Sequence, residues 1–392
     1  MLEFSEEQRL IRTEIERLCD DFDGEYWREK DRKAEYPMDF VQTLGEQGWL
    51  GTVIPEAYGG AGLDTLEAAI ILEEIAASGA GFNGAMACHG AMFIPRSILN
   101  YGDEEIKSNL LPKFANGEEL LQCFALTEPN AGFDSTNITT FADREDDTYV
   151  VNGQKTWCSR IHASDYMVLV ARTTPREEVS KKTDGMSLFL VDLADAKDQG
   201  ALDIEKIEKN IRAAVPSYEV WFEDLEIPAE NLIGEEGNGF RQVMGGLNEE
   251  RVVIAAESVG LARASIDKAV QYATEREVFD RQIGKNQAIQ HPLADAHARM
   301  TSARNITYQA AKAFKRGENV GEAANISAYM AREAAGEAAD AAVQTHGGYG
   351  VATEYDVERY YREARLARIA PVSDEMILNY LGEHVLNLPR SY

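Results

Sequence analysis

Phe124-Ala125-Leu126-Thr127-Glu128-Pro129-Asn130-Ala131-Gly132-Phe133-Asp134 stands where the chain changes period, and the patterns on either side of it decide the fold. Upstream, Phe4, Gln8, Ile11, Ile15, Leu18 and Phe22 recur at helical spacing against an acidic opposite face. Pro37 restarts a helix after a polar turn, and Pro55 through Gly62 read as a loop. Asp64 is placed to cap a helix carrying Ile70, Ile71 and Ile75, and two more helical segments are expected around residues 83–100 and 103–116. Downstream, the runs Tyr149–Val151, Tyr166–Ala171, Met186–Val191 and Tyr218–Phe222 are short, β-branched and aromatic, with Asp, Gly and Pro between them. Asn152-Gly153 reads as a hairpin turn between Val150-Val151 and the strand-like Lys155-Thr156-Trp157. With no helices between them, these strands predict a small antiparallel β domain. From about Gly237 the helical period returns. The stretches 238–275, 285–316 and 319–345 are long, alanine-rich and amphipathic, as in an antiparallel bundle or a subunit interface. The expected architecture is α+β and multidomain. It has an N-terminal helical domain (residues 1–120), a central antiparallel β domain (121–233) and a C-terminal four-helix-bundle-type domain (234–392).

The formal charge of −28 comes from 67 acidic and 39 basic residues, of which 14 are lysine and 25 arginine. So acidic a surface repels phosphate and excludes a nucleic-acid partner from the expectations. Acid-rich, lysine-poor composition suits a high-salt cytoplasm, where screening relieves self-repulsion. Cys19, Cys88, Cys123 and Cys158 show neither metal-ligand spacing nor a disulfide framework, so they are expected to be reduced and buried, as in an intracellular protein. No metal is expected. The opening Met1-Leu2-Glu3-Phe4-Ser5-Glu6-Glu7 has neither a basic region nor an apolar core, which predicts no signal peptide. No stretch approaches the roughly 20 apolar residues of a membrane span. A soluble, cytoplasmic protein is the expectation.

The Phe124–Asp134 stretch resembles the flavin-binding signature of the acyl-CoA dehydrogenase family, and Trp157-Cys158-Ser159 follows at the family's spacing. Gln344-Thr345-His346-Gly347-Gly348 resembles the glycine turn through which that family holds the adenine half of FAD. The order helix, β, helix is also the family's, and the resemblance covers essentially the whole chain. It implies FAD as cofactor, with residues 124–133, among them Phe124, Leu126, Thr127, Gly132 and Phe133, lining the ring edge and pyrophosphate. Trp157 would wall the isoalloxazine, and Ser159, two residues on in a strand, would reach N5. Arg276-Glu277-Val278-Phe279 resembles the family's Arg-Lys-Thr-Phe, whose arginine fork suits pyrophosphate. Phe279, Gln287, Gln344, Gly347, Gly348, Ser373 and Glu375 match further FAD positions, some of them across a subunit boundary. FAD would then lie between subunits of a homotetramer. Read alone, Gly347-Gly348 is equally a helix stop. The family's usual Gly-Ser-Asp is Gly132-Phe133-Asp134 here, so Phe133 removes a hydroxyl expected near the CoA pantetheine.

The implied reaction removes the α-proton of an acyl-CoA thioester while hydride passes to flavin, giving a trans-2-enoyl-CoA and electrons for an electron-transfer flavoprotein. In most of the family the base is a glutamate in a Tyr-Glu-Gly-Thr context; here the matching run is Ile369-Ala370-Pro371-Val372-Ser373. Proline has neither a carboxyl group nor the N–H that would polarise the thioester carbonyl. A minority of the family, isovaleryl-CoA and long-chain enzymes among them, carries the base at the position of Glu250. At 100° per residue, Val243, Leu247, Glu250, Ile254 and Leu261 project within about 60° of one another, whereas Glu249 points about 100° away. Glu250 is therefore the expected base, desolvated on an apolar stripe. Asn248 and Arg251 match substrate-side positions. A buried ion pair of Glu250 with Arg276 or another arginine is the alternative, and Asp374 and Glu375 are the reserve bases. Acyl-CoA oxidase, flavin monooxygenase and a non-catalytic flavin scaffold remain rival readings of the same fold. The small residues of Phe82–Gly90 predict room for a medium or branched acyl chain, and His89 reads as a packed helix residue.

Overall fold

The computed structural model describes residues 3–390; Met1 and Leu2, which open the stretch read above for a targeting signal, lie outside the described residues. Seven helices come first: α1 (Glu6–Cys19), α2 (Gly24–Lys33), α3 (Met38–Glu46), α4 (Thr65–Ile75), α5 (Gly81–Cys88), α6 (Pro95–Tyr101) and α7 (Glu104–Asn116). Asp64 caps α4 as expected, accepting from Thr65 N while Glu67 reaches back to the Asp64 N–H. The stretch 83–100 is not one helix. It breaks at a 3₁₀ turn, His89–Met92, and restarts with Pro95 in the first turn of α6, where a missing N–H costs nothing.

The strands are β1 (Leu121–Ala125), β2 (Phe141–Glu145), β3 (Thr148–Ser159), β4 (Tyr166–Arg172), β5 (Met186–Asp192), β6 (Leu202–Lys206), β7 (Ser217–Pro228) and β8 (Leu232–Ile233). They form one sheet in the order β6-β7-β3-β2-β4-β5-β8, with β1 added against β4. Most pairs are antiparallel, but β1–β4 and β2–β4 run parallel, and a short helix α8 (Leu193–Asp198) interrupts the strand run. Asn152-Gly153 is not a turn: it lies inside the 12-residue β3, at a register shift against β7. Gly153 is needed there because its φ is +149° and a Cβ would sit 2.6 Å from Thr140 Cα. The turn between β2 and β3 falls at Asp146, φ +52°.

The third block comprises α9 (Gly239–Glu275), a small hairpin β9–β10 (Glu277–Val278, Arg281–Gln282), α10 (Gln287–Lys315), α11 (Gly321–His346), α12 (Val357–Ala367) and α13 (Asp374–Tyr380). Burial explains how the blocks join. Along β4, Met167, Leu169 and Ala171 face the sheet's own core, while Val168 and Val170 face α6, α7 and the start of α9. Val243 of α9 joins that sheet-side cluster, whereas Val252 through Ala262 sit among α4, α5 and the bundle. The helical turn carrying Glu249 and Glu250 thus lies where the three blocks meet.

Alanine and glycine let these helices approach closely. A Cβ on Gly260 of α9 would stand 2.3 Å from Glu73 O and 2.7 Å from Ala76 Cβ of the α4 end. Gly260→Ala is therefore expected to destabilise by about 1–3 kcal/mol through overpacking, outweighing the roughly 1 kcal/mol of helix propensity gained. A denaturation midpoint equal to or above wild type would contradict this. All four cysteines are buried and free. No helix among the described residues is long and apolar enough to cross a membrane.

Candidate active site

The Phe124–Asp134 stretch leaves the end of β1 and is locked from below. Lys155, fully buried in β3, donates to Glu128 Oε1 at 2.8 Å and to Leu126 O at 3.0 Å. Burial pushes the Glu128 carboxyl up, but Lys155 and the donors of Thr139 and Thr140 outweigh it and hold the group below its ordinary range. Thr156 N donates to Thr127 O at 2.9 Å, and Glu128 and Ala131 close a tight turn over Pro129-Asn130. Phe124, Leu126 and Thr127 are half-buried, and beyond the turn Gly132 and Phe133 are exposed.

Trp157 occupies a register shift between β3 and β7 at φ +61°, a strained value for so bulky a residue, and its ring is 56 % exposed. Phe133, 64 % exposed, is a second bare aromatic ring in this domain. The Ser159 hydroxyl, expected to face N5, lies 2.9 Å from Ser217 Oγ and accepts from Arg212 Nη2 at 3.0 Å. Arg212 also approaches Met86 Sδ at 3.2 Å; burial and neighbouring Arg160 push its guanidinium down to about 9, while Glu257 and Glu363 pull it up.

A second group of the expected residues gathers elsewhere. Arg276, Phe279, Gly347 and Gly348 line one cavity of about 1130 Å³, with Tyr272, His346 and Tyr349. Arg276 has no carboxylate partner among the described residues. Gly347 terminates α11 at φ +60°, so the helix-stop reading and the cavity-lining one hold together. The two-residue turn of the β9–β10 hairpin has Phe279 and Asp280 both at positive φ and leaves Phe279 95 % exposed. Gln287 and Gln344 are exposed at the same end but do not line the cavity. Glu257, near Arg212, precedes Arg276 by 19 residues of α9, or roughly 28 Å along the axis at 1.5 Å per residue. Trp157 is not among the residues that line the Arg276 cavity.

The base candidates are sorted by their partners. Glu249, read from the helical projection as pointing away from the apolar stripe, is the more buried of the adjacent pair at 1 % exposure. Its carboxylate accepts from Arg96 Nε and from Thr65 Oγ1, each at 2.6 Å. The projection failed because helices pack against α9 on both sides of this turn. Glu250 keeps 13 % side-chain exposure, and no arginine forms an ion pair with it among the described residues. Arg276, one proposed neutralising partner, is roughly 39 Å further along the helix axis. The neighbour of Glu250 is instead His89, whose Nε2 stands 3.8 Å from Glu250 Oε1. His89 Nδ1 lies 2.8 Å from Glu257 Oε1. His89, read from the sequence as a packed helix residue, is buried at the end of α5, and Glu257 was not singled out at the sequence level. Glu257 was recoverable, since seven residues bring a helix back to within about 20° of Glu250.

Segment 371–375 sits close by. Fully buried Arg332 donates to Val372 O at 2.6 Å and approaches Asp374 at 3.5 Å. It also feels the charges of Glu250 and Arg251. Arg368 holds the other oxygen of Asp374 at 2.9 Å, so Asp374 is caged; Glu375 is exposed, and Ser373 caps α13. Arg251 donates to Asn248 Oδ1 at 3.1 Å, and its buried Nε has no partner. Gly84 gives no spare room, because a Cβ there would meet Ala80 Cβ at 2.5 Å and the Trp27 ring at 3.0 Å. Its smallness serves close packing.

Three family models match consecutive parts of the chain: the acyl-CoA dehydrogenase N-terminal domain over residues 5–118, the middle domain over 123–225 and the C-terminal domain over 237–386. The chain belongs to the acyl-CoA dehydrogenase family. It is 35 % identical to acyl-CoA dehydrogenase FadE12 of Mycobacterium tuberculosis, over 99 % of this chain and 98 % of that one. Among solved structures, a chain from work on the electron transferring flavoprotein of Acidaminococcus fermentans superposes with a TM-score of 0.93 at 30 % identity, covering 98 % of this chain and 99 % of that one. A glutaryl-coenzyme A dehydrogenase in complex with glutaryl-CoA gives 0.91 at 30 % identity, covering 100 % and 98 %.

Proposed function

We propose that the protein is an FAD-dependent acyl-CoA dehydrogenase that converts an acyl-CoA thioester to a trans-2-enoyl-CoA, with Glu250 as the base. The observation that carries the reading is the sorting of carboxylates around the Pro371 loop. Glu249 is bonded to Arg96 and Asp374 to two arginines, while Glu250 faces the same Arg332 that grips Val372 and has no guanidinium partner among the described residues. A carboxylate left uncaged in a half-dry junction is suited to general-base work.

FAD is the cofactor of this family, and the residues present fit it. The bare Trp157 ring offers a wall for a flat tricycle. The Arg276 cavity combines an uncompensated guanidinium with exposed Gly347 and Gly348, where an added Cβ would meet nothing within 4 Å, as suits a pyrophosphate and its nucleoside. Bound between these residues, FAD would supply the acceptor for the β-hydride. Glu250 takes the α-proton, so one C–H bond breaks to form the carboxyl O–H while the electrons of that bond form the C=C. Arg251, with an unbonded Nε beside Glu250, is positioned to orient the substrate. Pro371 offers no N–H to the thioester carbonyl, so position 371 supplies that oxygen no backbone donor.

The separation along α9 supports a homotetramer in which Trp157 of one protomer and the Arg276 cavity of another hold the same FAD. The exposed Val278, Phe279, Tyr349 and Val351 at that end are apolar surface suited to such a boundary. Electrons then pass to an electron-transfer flavoprotein, in a cytoplasmic setting. The test is anaerobic mixing of the FAD-loaded protein with straight and branched acyl-CoAs. Bleaching of the flavin with slow reoxidation by O₂ is expected. No bleaching by any acyl-CoA would overturn the proposal, and rapid reoxidation with peroxide release would make it an oxidase.

A further inference from the structure

We propose that His89 is a positioning residue for the base: a buried imidazole between two carboxylates of α9 that directs Glu250 in its pocket and offers it a counter-charge. This rests on Glu250 being the base. The arrangement is built from three features. Glu250 and Glu257 share one face of α9, two turns apart. The 3₁₀ turn His89–Met92 ends α5 and drops the imidazole between them, with Nδ1 2.8 Å from Glu257 and Nε2 3.8 Å from Glu250. That turn is held because Gly90 packs on the Gln122 backbone, where a Cβ would meet Gln122 O at 2.8 Å, and because Phe93 sets its ring edge-to-face on His89 at 5.0 Å.

Charge agrees with the geometry. Glu257 is fully buried and its second oxygen has no hydrogen-bond partner; among the described residues the imidazole is its one ion-pair partner, with the Arg212 charge also acting on it. From the β domain, Arg160 donates to Met86 O and Arg212 reaches Met86 Sδ, one turn before His89. On the other side, the Cys88 thiol is pushed up by burial and by Glu257, and so stays neutral. Burial pulls the His89 imidazole down, but Glu257 and Glu250 more than offset it and raise it to about 8. That raise favours the cationic ring, 3.8 Å from the Glu250 carboxylate.

Replacing His89 with Gln removes that cation and keeps a hydrogen-bonding group. The acid limb of the pH profile for flavin bleaching is expected to move up by about one unit or more, because an opposite charge within 4–6 Å shifts a carboxyl by roughly 1–3 units. Below the wild-type limb, bleaching is then slower by up to about tenfold for each unit the limb moves, and the two proteins converge at high pH. His89→Asn should behave alike. A loss equal at every pH, with the limb unmoved, would mean packing alone and overturn the inference. A second readout needs neither variant nor turnover. In ¹³C-histidine NMR of the wild type, one of the six histidines should titrate near pH 8, and that signal should move downward in Glu250→Gln. No histidine titrating there would also overturn it. If Glu250→Gln bleaches at the wild-type rate, the base assignment itself fails; if it is slow while His89→Gln leaves the limb in place, only this inference fails.

Discussion

Glu250→Gln is expected to slow acyl-CoA bleaching of the flavin by about 10²–10⁴-fold, the range that a positioned general base contributes. That corresponds to roughly 3–5 kcal/mol of barrier at 1.36 kcal/mol per decade. Gln is nearly isosteric, so the half-buried site keeps its shape and loses only the proton acceptor. FAD content and thioester affinity should change little, which separates this loss from misfolding. The neighbouring carboxylates cannot substitute: Glu249 is bonded to Arg96 and Thr65, and Asp374 to Arg332 and Arg368. Stopped-flow bleaching under anaerobic conditions is the measurement. An unchanged rate would remove Glu250 from the mechanism.

Arg359→Leu is expected to lose about 3–5 kcal/mol of stability, the cost of breaking a buried ion pair from one side. Arg359 of α12 donates to Ala80 O at 3.0 Å and Gly79 O at 2.7 Å, pairs with Glu363 at 3.3 Å and lies over the Tyr360 ring. Glu363 Oε2 in turn accepts from Phe82 N at 2.7 Å. This cage holds the break between α4 and α5, where Gly79 and Gly81 have φ of +105° and +59°. Burial pushes the Glu363 carboxyl up to about 7 even with Arg359 beside it. A raised folded-state pKa means that ionisation costs stability: the penalty is absent below the unfolded pKa near 4.5 and complete above about 7. Without Arg359 that penalty grows, so the variant's deficit should be greater at pH 8 than at pH 5.5. Denaturant midpoints at the two pH values test this. A deficit below about 1 kcal/mol at pH 8 would show the cage to be dispensable.

Part of the candidate site was legible as residue types. Thr127-Glu128-Pro129 marked a tight turn, Trp157 a large ring in a strand, and Gly347-Gly348 the end of α11. What they did not disclose is who partners whom. The buried Lys155–Glu128 pair that locks the loop spans 27 positions, and Arg212 reaches Ser159 across 53. Asn152-Gly153 misled because a glycine chosen for close approach to Thr140 has the same letter as one chosen for a turn. Glu249 misled because a helical projection assumes one buried face, and α9 is packed on more than one.

The sequence by itself determined the helix–β–helix order and the family, since periodicity, caps and short motifs are local properties of the chain. Tertiary structure alone decided which of two adjacent glutamates is caged by arginine and which faces a histidine. A carboxylate's chemistry depends on the charges within a few ångströms of it, and here those charges come from helices and strands brought together only by folding.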